Sequence, residues 1–174
     1  MSVDVAMSTR VERAWHVLDG VLDPEVPVVS VRDLGIVRDV VEAEGGGIEV
    51  VVTPTYSGCP ATEVIEQSIV DALVAEGLGP VRVRMQRAPA WTTDWMSDAG
   101  RAKLRAYGIS PPQHLGAGAA VPMRFVPRRR VEALACPRCE SVDTERIAAF
   151  GATACKALWR CRACGEPFEQ FKAI

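Results

Sequence analysis

The chain has 174 residues, enough for one domain of ordinary size or for one medium domain with a small appendage. Apolar residues make up 48% and charged residues 24%, which excludes wholesale disorder. The net charge of −2 excludes a polycation built for nucleic acid, yet the charge is unevenly spread: residues 1–123 carry 10 basic and 16 acidic side chains and residues 124–174 carry 10 and 6, a break that points to two modules.

No apolar run approaches the roughly 18 residues that a membrane span needs, and the first fifteen residues show neither a basic n-region nor an apolar h-region. A cytoplasmic protein without a membrane partner is the expectation. Six cysteines in such a chain point to metal or redox chemistry rather than to structural disulfides.

Thr9 and Glu12 stand at capping-box spacing, and Val11, Ala14, Trp15 and Leu18 follow at i, i+3, i+4 and i+7. The pattern predicts an amphipathic helix over 9–20 that stops near Gly20. Asp23-Pro24-Glu25 and Pro27 break any continuation. Val28–Val31 is short and β-branched, and Asp33-Leu34-Gly35 reads as a turn. Ile36–Ala43 and Ile48–Thr53 are β-rich runs around Glu44-Gly45-Gly46-Gly47, a hairpin signal. Residues 61–76 read as a helix with Val64, Ile65, Ile69, Ala72 and Leu73 on one face and Gly77 as its C-terminal stop. Val81–Met85 alternates apolar and basic residues, as a half-exposed strand does. A short helix over 97–107 ends at Gly108. No internal repeat is visible. The simplest packing is α+β: a small, mostly antiparallel sheet with helices on one face, over residues 1–110. Residues 111–131, with Pro and Gly and the Arg128-Arg129-Arg130 run, read as a linker, and 132–174 as a separate ribbon.

That ribbon carries the strongest motif. Cys136-Pro137-Arg138-Cys139 and Cys161-Arg162-Ala163-Cys164-Gly165 form a C-x2-C-x21-C-x2-C pattern. Two thiolates three positions apart in a tight turn can face one ion, and two such turns complete a tetrahedron. About 40 residues bury too little surface to fold alone, so the metal is structural, and metal binding contributes about 10–16 kcal/mol to such folds. Zinc is the expected ion, with iron or a labile redox site as the alternative. Cys155 lies between the knuckles without a partner at that spacing; it is a packed small residue or a thiol activated by Lys156.

Cys59 is the only cysteine of the first module. It precedes Pro60, a residue suited to the first helical position, so Cys59 is the expected N-cap of the second helix. A thiolate there would have a lowered pKa and could act as nucleophile or soft metal ligand. Asp23, Glu25 and Asp33 are turn or cap residues, or they line a site with Cys59. His16 and His114 read as solvated side chains. No P-loop, dinucleotide fingerprint or acid–base pair is present, so no catalytic residue is assigned.

Three segments carry a family likeness: Asp23-Pro24-Glu25-Val26-Pro27 with Val29-Ser30-Val31, Asp33-Leu34-Gly35-Ile36-Val37, and Thr53-Pro54-Thr55-Tyr56-Ser57-Gly58-Cys59-Pro60. They resemble the SufT-like domain of iron–sulfur cluster assembly factors. With Cys136-Pro137-Arg138-Cys139, the Phe150–Lys156 segment and Glu166-Pro167-Phe168-Glu169, nearly the whole chain is similar to the PaaD (PaaJ) family. These are accessory components of the multicomponent phenylacetyl-CoA ring-epoxidase system of aerobic phenylacetate degradation. The resemblance implies an iron–sulfur-assembly-like domain followed by a zinc ribbon. It implies iron or cluster transfer at Cys59 with Asp23, Glu25, Asp33 and Thr55 around it, a structural zinc on Cys136, Cys139, Cys161 and Cys164, and the oxygenase or reductase subunits as partners. The family often ends in Lys-Cys-Ile, whereas this chain ends Lys172-Ala173-Ile174, so a sulfur at 173 is dispensable here. Two roles stay open: an assembly factor using a transient iron or iron–sulfur cluster, and a non-catalytic structural subunit. A homodimer is a further open partner. A nucleic-acid role is weakest, because basic–aromatic interleaving is sparse and the first module is acidic.

Overall fold

The computed structural model describes residues 2–56, 61–113 and 134–173, with side chains from residue 10 onward. Cys59, His114, Arg128-Arg129-Arg130 and nearly all of the expected linker lie outside the described residues. The chain divides into two units, Met1–Gly100 and Arg101–Ile174.

The first unit opens with helix α1 (Ser2–Leu18). It begins ahead of the expected start at Thr9, because no Gly or Pro precedes Thr9 to stop it. Its periodic face turns inward as expected: Ala14 and Leu18 are fully buried, and Val11 and Trp15 half-buried. The chain then winds through an irregular segment held by a Leu22–Ser30 bridge and by Val31 N–H to Val21 O at 2.9 Å. The β-branched Val29 and Val31 are fully buried in this segment without forming a strand. Strands β1 (Val37–Ala43) and β2 (Gly47–Val52) make the expected hairpin, with Val40 opposite Val50.

Helix α2 (Thr62–Ala75) then leads to β3 (Val81–Met85). Strand order is β1-β2-β3, and β3 runs parallel to β2 with Val83 beside Val50. The sheet is therefore mixed rather than mostly antiparallel. A crossover through a whole helix returns the chain to the starting end of β2, so the next strand must run the same way. Helix α1 packs on β1, α2 packs on β3, and the helices touch each other, which puts both on one face. Ile48, Val50, Ile69 and Leu73 are fully buried between these layers, each contributing about 1.5–3 kcal/mol. On β3, Arg82 and Arg84 are exposed and reach Glu49 of β2 at 3.8 and 2.8 Å.

A single 3₁₀ turn, Thr93–Trp95, precedes helix α3 (Asp98–Tyr107), inside which the division between units falls. Strand β4 (Ile109–Ser110) pairs parallel with β7 (Pro167–Phe171), so residues expected to close the first module belong to the second unit's sheet. A two-residue edge strand carries no periodicity, which is why the boundary could not be read from the sequence. Strands β5 (Thr144–Ala148) and β6 (Lys156–Cys161) complete a four-stranded sheet in the order β4-β7-β6-β5. Its core is Leu134, Cys136, Ala157, Trp159, Cys161 and Phe168. Among the described residues, no helix is long and apolar enough to cross a membrane.

Candidate metal centre

The two CxxC turns are built alike. In the first, Cys136 N–H donates to Ser141 O and Glu140 N–H to Cys136 O, both at 2.9 Å. In the second, Cys161 N–H donates to Glu166 O and Gly165 N–H to Cys161 O, again both at 2.9 Å. Each turn needs a left-handed residue directly after its second cysteine: Glu140 has φ 61° and Gly165 φ 77°. At this position one turn has glycine and the other tolerates glutamate.

These turns bring the four sulfurs within 4.8 Å of one another. Cys139 Sγ lies 3.5 Å from Cys161 Sγ, and Cys136 Sγ lies 3.9 Å from Cys164 Sγ. Disulfide sulfurs would sit about 2.05 Å apart, so the cysteines are free. A tetrahedron with metal–sulfur bonds of about 2.3 Å has edges of about 3.8 Å, which is the observed scale. Cys136 and Cys161 are buried against Trp159 and Phe168, whereas Cys139 and Cys164 are exposed. The site is thus seated on the ribbon core by one sulfur from each turn.

The protons on these sulfurs are unequally held. The Cys161 thiol is lowered to about 7, first by the backbone N–H of Cys164, with further hydrogen bonds outweighing burial. At Cys139 the backbone N–H of Ser141 acts to lower the pKa, yet hydrogen bonding with Cys164 and Cys161, together with desolvation, pushes it up to about 12. Four crowded sulfurs cannot all ionise without a cation between them. A divalent ion with soft-ligand affinity removes that conflict, so the donor set fits a structural metal.

Cys155 stands apart from this cluster. It is buried, with Thr153 Oγ1 at 3.0 Å from its sulfur. The buried Lys156 ammonium pairs instead with Glu169 Oε2 at 2.7 Å. Packing therefore accounts for Cys155 better than activation by Lys156 does. Glu169 also accepts from Ala152 N–H at 2.8 Å. A Cβ on Gly151 would come within 2.6 Å of the Glu169 carboxylate, so the β5–β6 loop is folded closely over that acid.

In the first unit, Asp23 and Asp33 are both buried and both hold backbone. Asp23 Oδ1 accepts from Glu25 and Val26 N–H at 2.9 and 2.8 Å. Asp33 Oδ2 accepts from Ser30 N–H at 3.1 Å, Ser30 Oγ accepts from Asp33 N–H at 3.0 Å, and Ser97 Oγ donates to Asp33 Oδ1 at 2.9 Å. Glu25 and Thr55 are half-buried. Among the described residues, only the four ribbon cysteines bring three or more metal-binding side chains together. The N-cap of α2 is Ala61, in helical conformation, rather than the expected Cys59. The helix starts after Pro60, and a cap two residues later needs no thiol. Sequence reasoning missed Ser97 and Trp91, whose indole N–H donates to Leu34 O at 2.9 Å and fixes the Asp33-Leu34-Gly35 turn.

Residues 12–85 match the family described as "Iron-sulfur cluster assembly protein", and residues 122–172 match "PaaD zinc beta ribbon domain". An Escherichia coli protein named as a putative subunit of 1,2-phenylacetyl-CoA epoxidase is 48% identical over 165 residues, 95% of this chain and 94% of that one. The chain belongs to the PaaD family. Two similar proteins match only about half of the chain: a Porphyromonas gingivalis "Fe-S protein maturation auxiliary factor" at 33% over 90 residues, and Bacillus subtilis "Fe-S protein maturation auxiliary factor YitW" at 33% over 94 residues. They cover 51% and 53% of this chain and 85% and 91% of their own lengths. A Bacillus anthracis crystal structure of a domain of unknown function, DUF59, shares the fold with TM-score 0.54 at 24% identity, over 58% of this chain and 96% of that one. The α+β domain of the PaaD family is thus followed by a metal-binding ribbon, and the four-cysteine cluster is the structural metal site of that ribbon.

Proposed function

We propose that this chain is an accessory component of a phenylacetyl-CoA epoxidase system, and that its first unit passes iron or an iron–sulfur cluster toward the epoxidase through Cys59. One observation carries the reading: a single chain joins an iron–sulfur assembly domain to a PaaD ribbon and is 48% identical, nearly end to end, to a protein named as an epoxidase subunit. Cys59 supplies the soft thiolate ligand, and the metal is cargo released by ligand exchange. Asp23 and Asp33 act as scaffold for their own turns, since their oxygens hold backbone N–H groups and the Ser97 hydroxyl. Glu25 and Thr55 are the remaining polar groups of the motif. The resident ion of the ribbon is zinc, held by Cys136, Cys139, Cys161 and Cys164, and the oxygenase or reductase subunits are the partners.

A structural-subunit role is the second reading. It is supported by the name of the Escherichia coli relative, a putative epoxidase subunit matched over 95% of this chain. Producing the epoxidase with wild-type chain, with Cys59→Ala and without the chain, then counting iron and flavin in the purified complex, separates the two. Transfer predicts a folded, zinc-loaded Cys59→Ala chain and an iron-deficient epoxidase. Full iron loading with Cys59→Ala, and growth on phenylacetate like wild type, would leave the structural role.

A further inference from the structure

The first unit carries a cleft lined by residues of α1, of the segment leading into β1 and by Trp95. It is an open concavity of about 590 Å³ between α1 and the turn that precedes β1. Trp15 and Trp95 form its walls, and each indole is covered by a guanidinium: Arg32 lies 5.2 Å from the Trp15 ring centre and Arg38 3.6 Å from that of Trp95. Gly35 holds this wall in place, because a Cβ there would fall 2.5 Å from Trp95 O.

The two arginines differ in what they have left to offer. Arg32 is neutralised by Asp19 at 2.7 Å. Arg38 meets only Gly35 O, at 3.4 Å, and the Trp95 face; among the described residues it has no carboxylate at ion-pair distance. An arginine lying flat on an indole keeps its planar donor fork free and ordered, which is how carboxylates are taken bidentately. Trp and Arg side by side in a concave patch are also the residue types that dominate protein–protein binding energy.

We propose that this cleft docks a peptide segment of a partner protein bearing a carboxylate next to an apolar side chain, with the carboxylate on Arg38 and the apolar group between Trp15 and Trp95. The lining decides against a phosphate ligand. Asp19 is spent on Arg32, Glu12 adds an acidic group to the lining, and among the described residues Arg38 is the arginine of the cleft with no carboxylate at ion-pair distance. That balance suits one carboxylate and two aromatic walls, not a group of higher negative charge. The inference holds whether the chain transfers metal or serves as a structural subunit.

The test uses the full, zinc-loaded chain with ¹⁵N-labelled tryptophan and the synthetic peptide acetyl-Gly-Asp-Phe-Gly-amide, at about 0.15 M salt to screen diffuse attraction. Of the four tryptophans, Trp91 and Trp159 are buried and serve as internal controls. The Trp15 and Trp95 indole signals should shift saturably with Kd on the order of 0.1–1 mM, and those of Trp91 and Trp159 should not. Arg38→Glu should weaken binding at least about tenfold, and Arg38→Lys should weaken it several-fold, since lysine keeps the charge but not the fork. Arg82→Glu, on β3, should change nothing. Absence of saturation at about 10 mM peptide, equal losses in Arg38→Glu and Arg82→Glu, or stronger shifts of the same two indoles by inorganic pyrophosphate would each overturn the proposal.

Discussion

Asp33 shows how much one buried carboxylate can organise. Its side chain ties Ser30 N–H and the Ser97 hydroxyl, and its own N–H is taken by Ser30 Oγ. The packing around it is tight, since a Cβ on Gly100 would lie 2.9 Å from the Asp33 Cβ. Removing the carboxylate leaves a buried N–H and a hydroxyl without their acceptor, and such groups cost about 1–3 kcal/mol each. Asp33→Ala should therefore lower the stability of the first unit by about 2–4 kcal/mol in denaturant melts, with Asp33→Asn retaining part of the loss. An unchanged midpoint in Asp33→Ala, together with poor iron loading of the epoxidase, would move Asp33 from scaffold to metal ligand. Part of this network was legible: the sequence reads Asp33 as a turn or cap residue, which its bonds with Ser30 match. Ser97 was not, because no local pattern announces a partner 64 positions away.

At the scale of elements, the turns, hairpin and helices follow from periodicity and from Gly placement, while strand direction and the β4 edge do not. The hairpin loop Glu44-Gly45-Gly46-Gly47 declared itself, with Gly45 and Gly46 at φ 89° and 84°. The parallel β2–β3 pairing depends on where α2 delivers the chain, a tertiary fact. The matched cysteine turns allow a paired test. Gly165→Ala should destabilise the zinc-loaded ribbon by about 1–2 kcal/mol, the cost of a Cβ in left-handed backbone, and Glu140→Gly should be neutral or stabilising by up to about 1 kcal/mol. The rate of zinc release to a chromogenic chelator reads both; equal rates for Gly165→Ala and wild type would mean that the turn relaxes.

The Lys156–Glu169 pair adds a pH signature to the ribbon. Burial works to raise the Glu169 carboxyl, but the Lys156 ammonium and the Ala152 N–H outweigh it and hold the pKa below the ordinary value. A depressed acid contributes stability that is present above its unfolded pKa, about 4.3, and is lost as the pH falls through the folded value. Glu169→Gln leaves the buried Lys156 without its counter-ion, a change on the order of 3 kcal/mol. The stability difference between wild type and Glu169→Gln should hold from pH 7 down to about pH 5 and shrink below about pH 4. Taking the difference at each pH cancels the zinc loss common to both chains. A gap that stays constant down to about pH 3 would show that the carboxylate charge is not what stabilises the loop.

Across the whole molecule, two units with separate cores answer to different forces. The first has layers of fully buried Leu, Ile and Val, including Leu18, Ile48, Ile69 and Leu73. The ribbon's core is one small cluster in which two of the six members are the metal-facing Cys136 and Cys161. Its sequence declared the metal, since CxxC spacing encodes geometry directly, whereas the role of Cys59 depends on chemistry that no spacing specifies. Without its ion the sulfur cluster holds protons unequally, with Cys139 pushed up to about 12 and Cys161 lowered to about 7. The lost metal energy, about 10–16 kcal/mol in comparable sites, exceeds the whole stability of an ordinary domain. Chelation at neutral pH should therefore collapse hydrogen-exchange protection at amides of β5, β6 and β7 while β1, β2 and α2 keep theirs. Cys161→Ser should reproduce that pattern without chelator. Protection lost in both units together would show that the first core depends on the ribbon; protection kept in β6 after zinc is gone would show that Trp159 and Phe168 suffice to hold it.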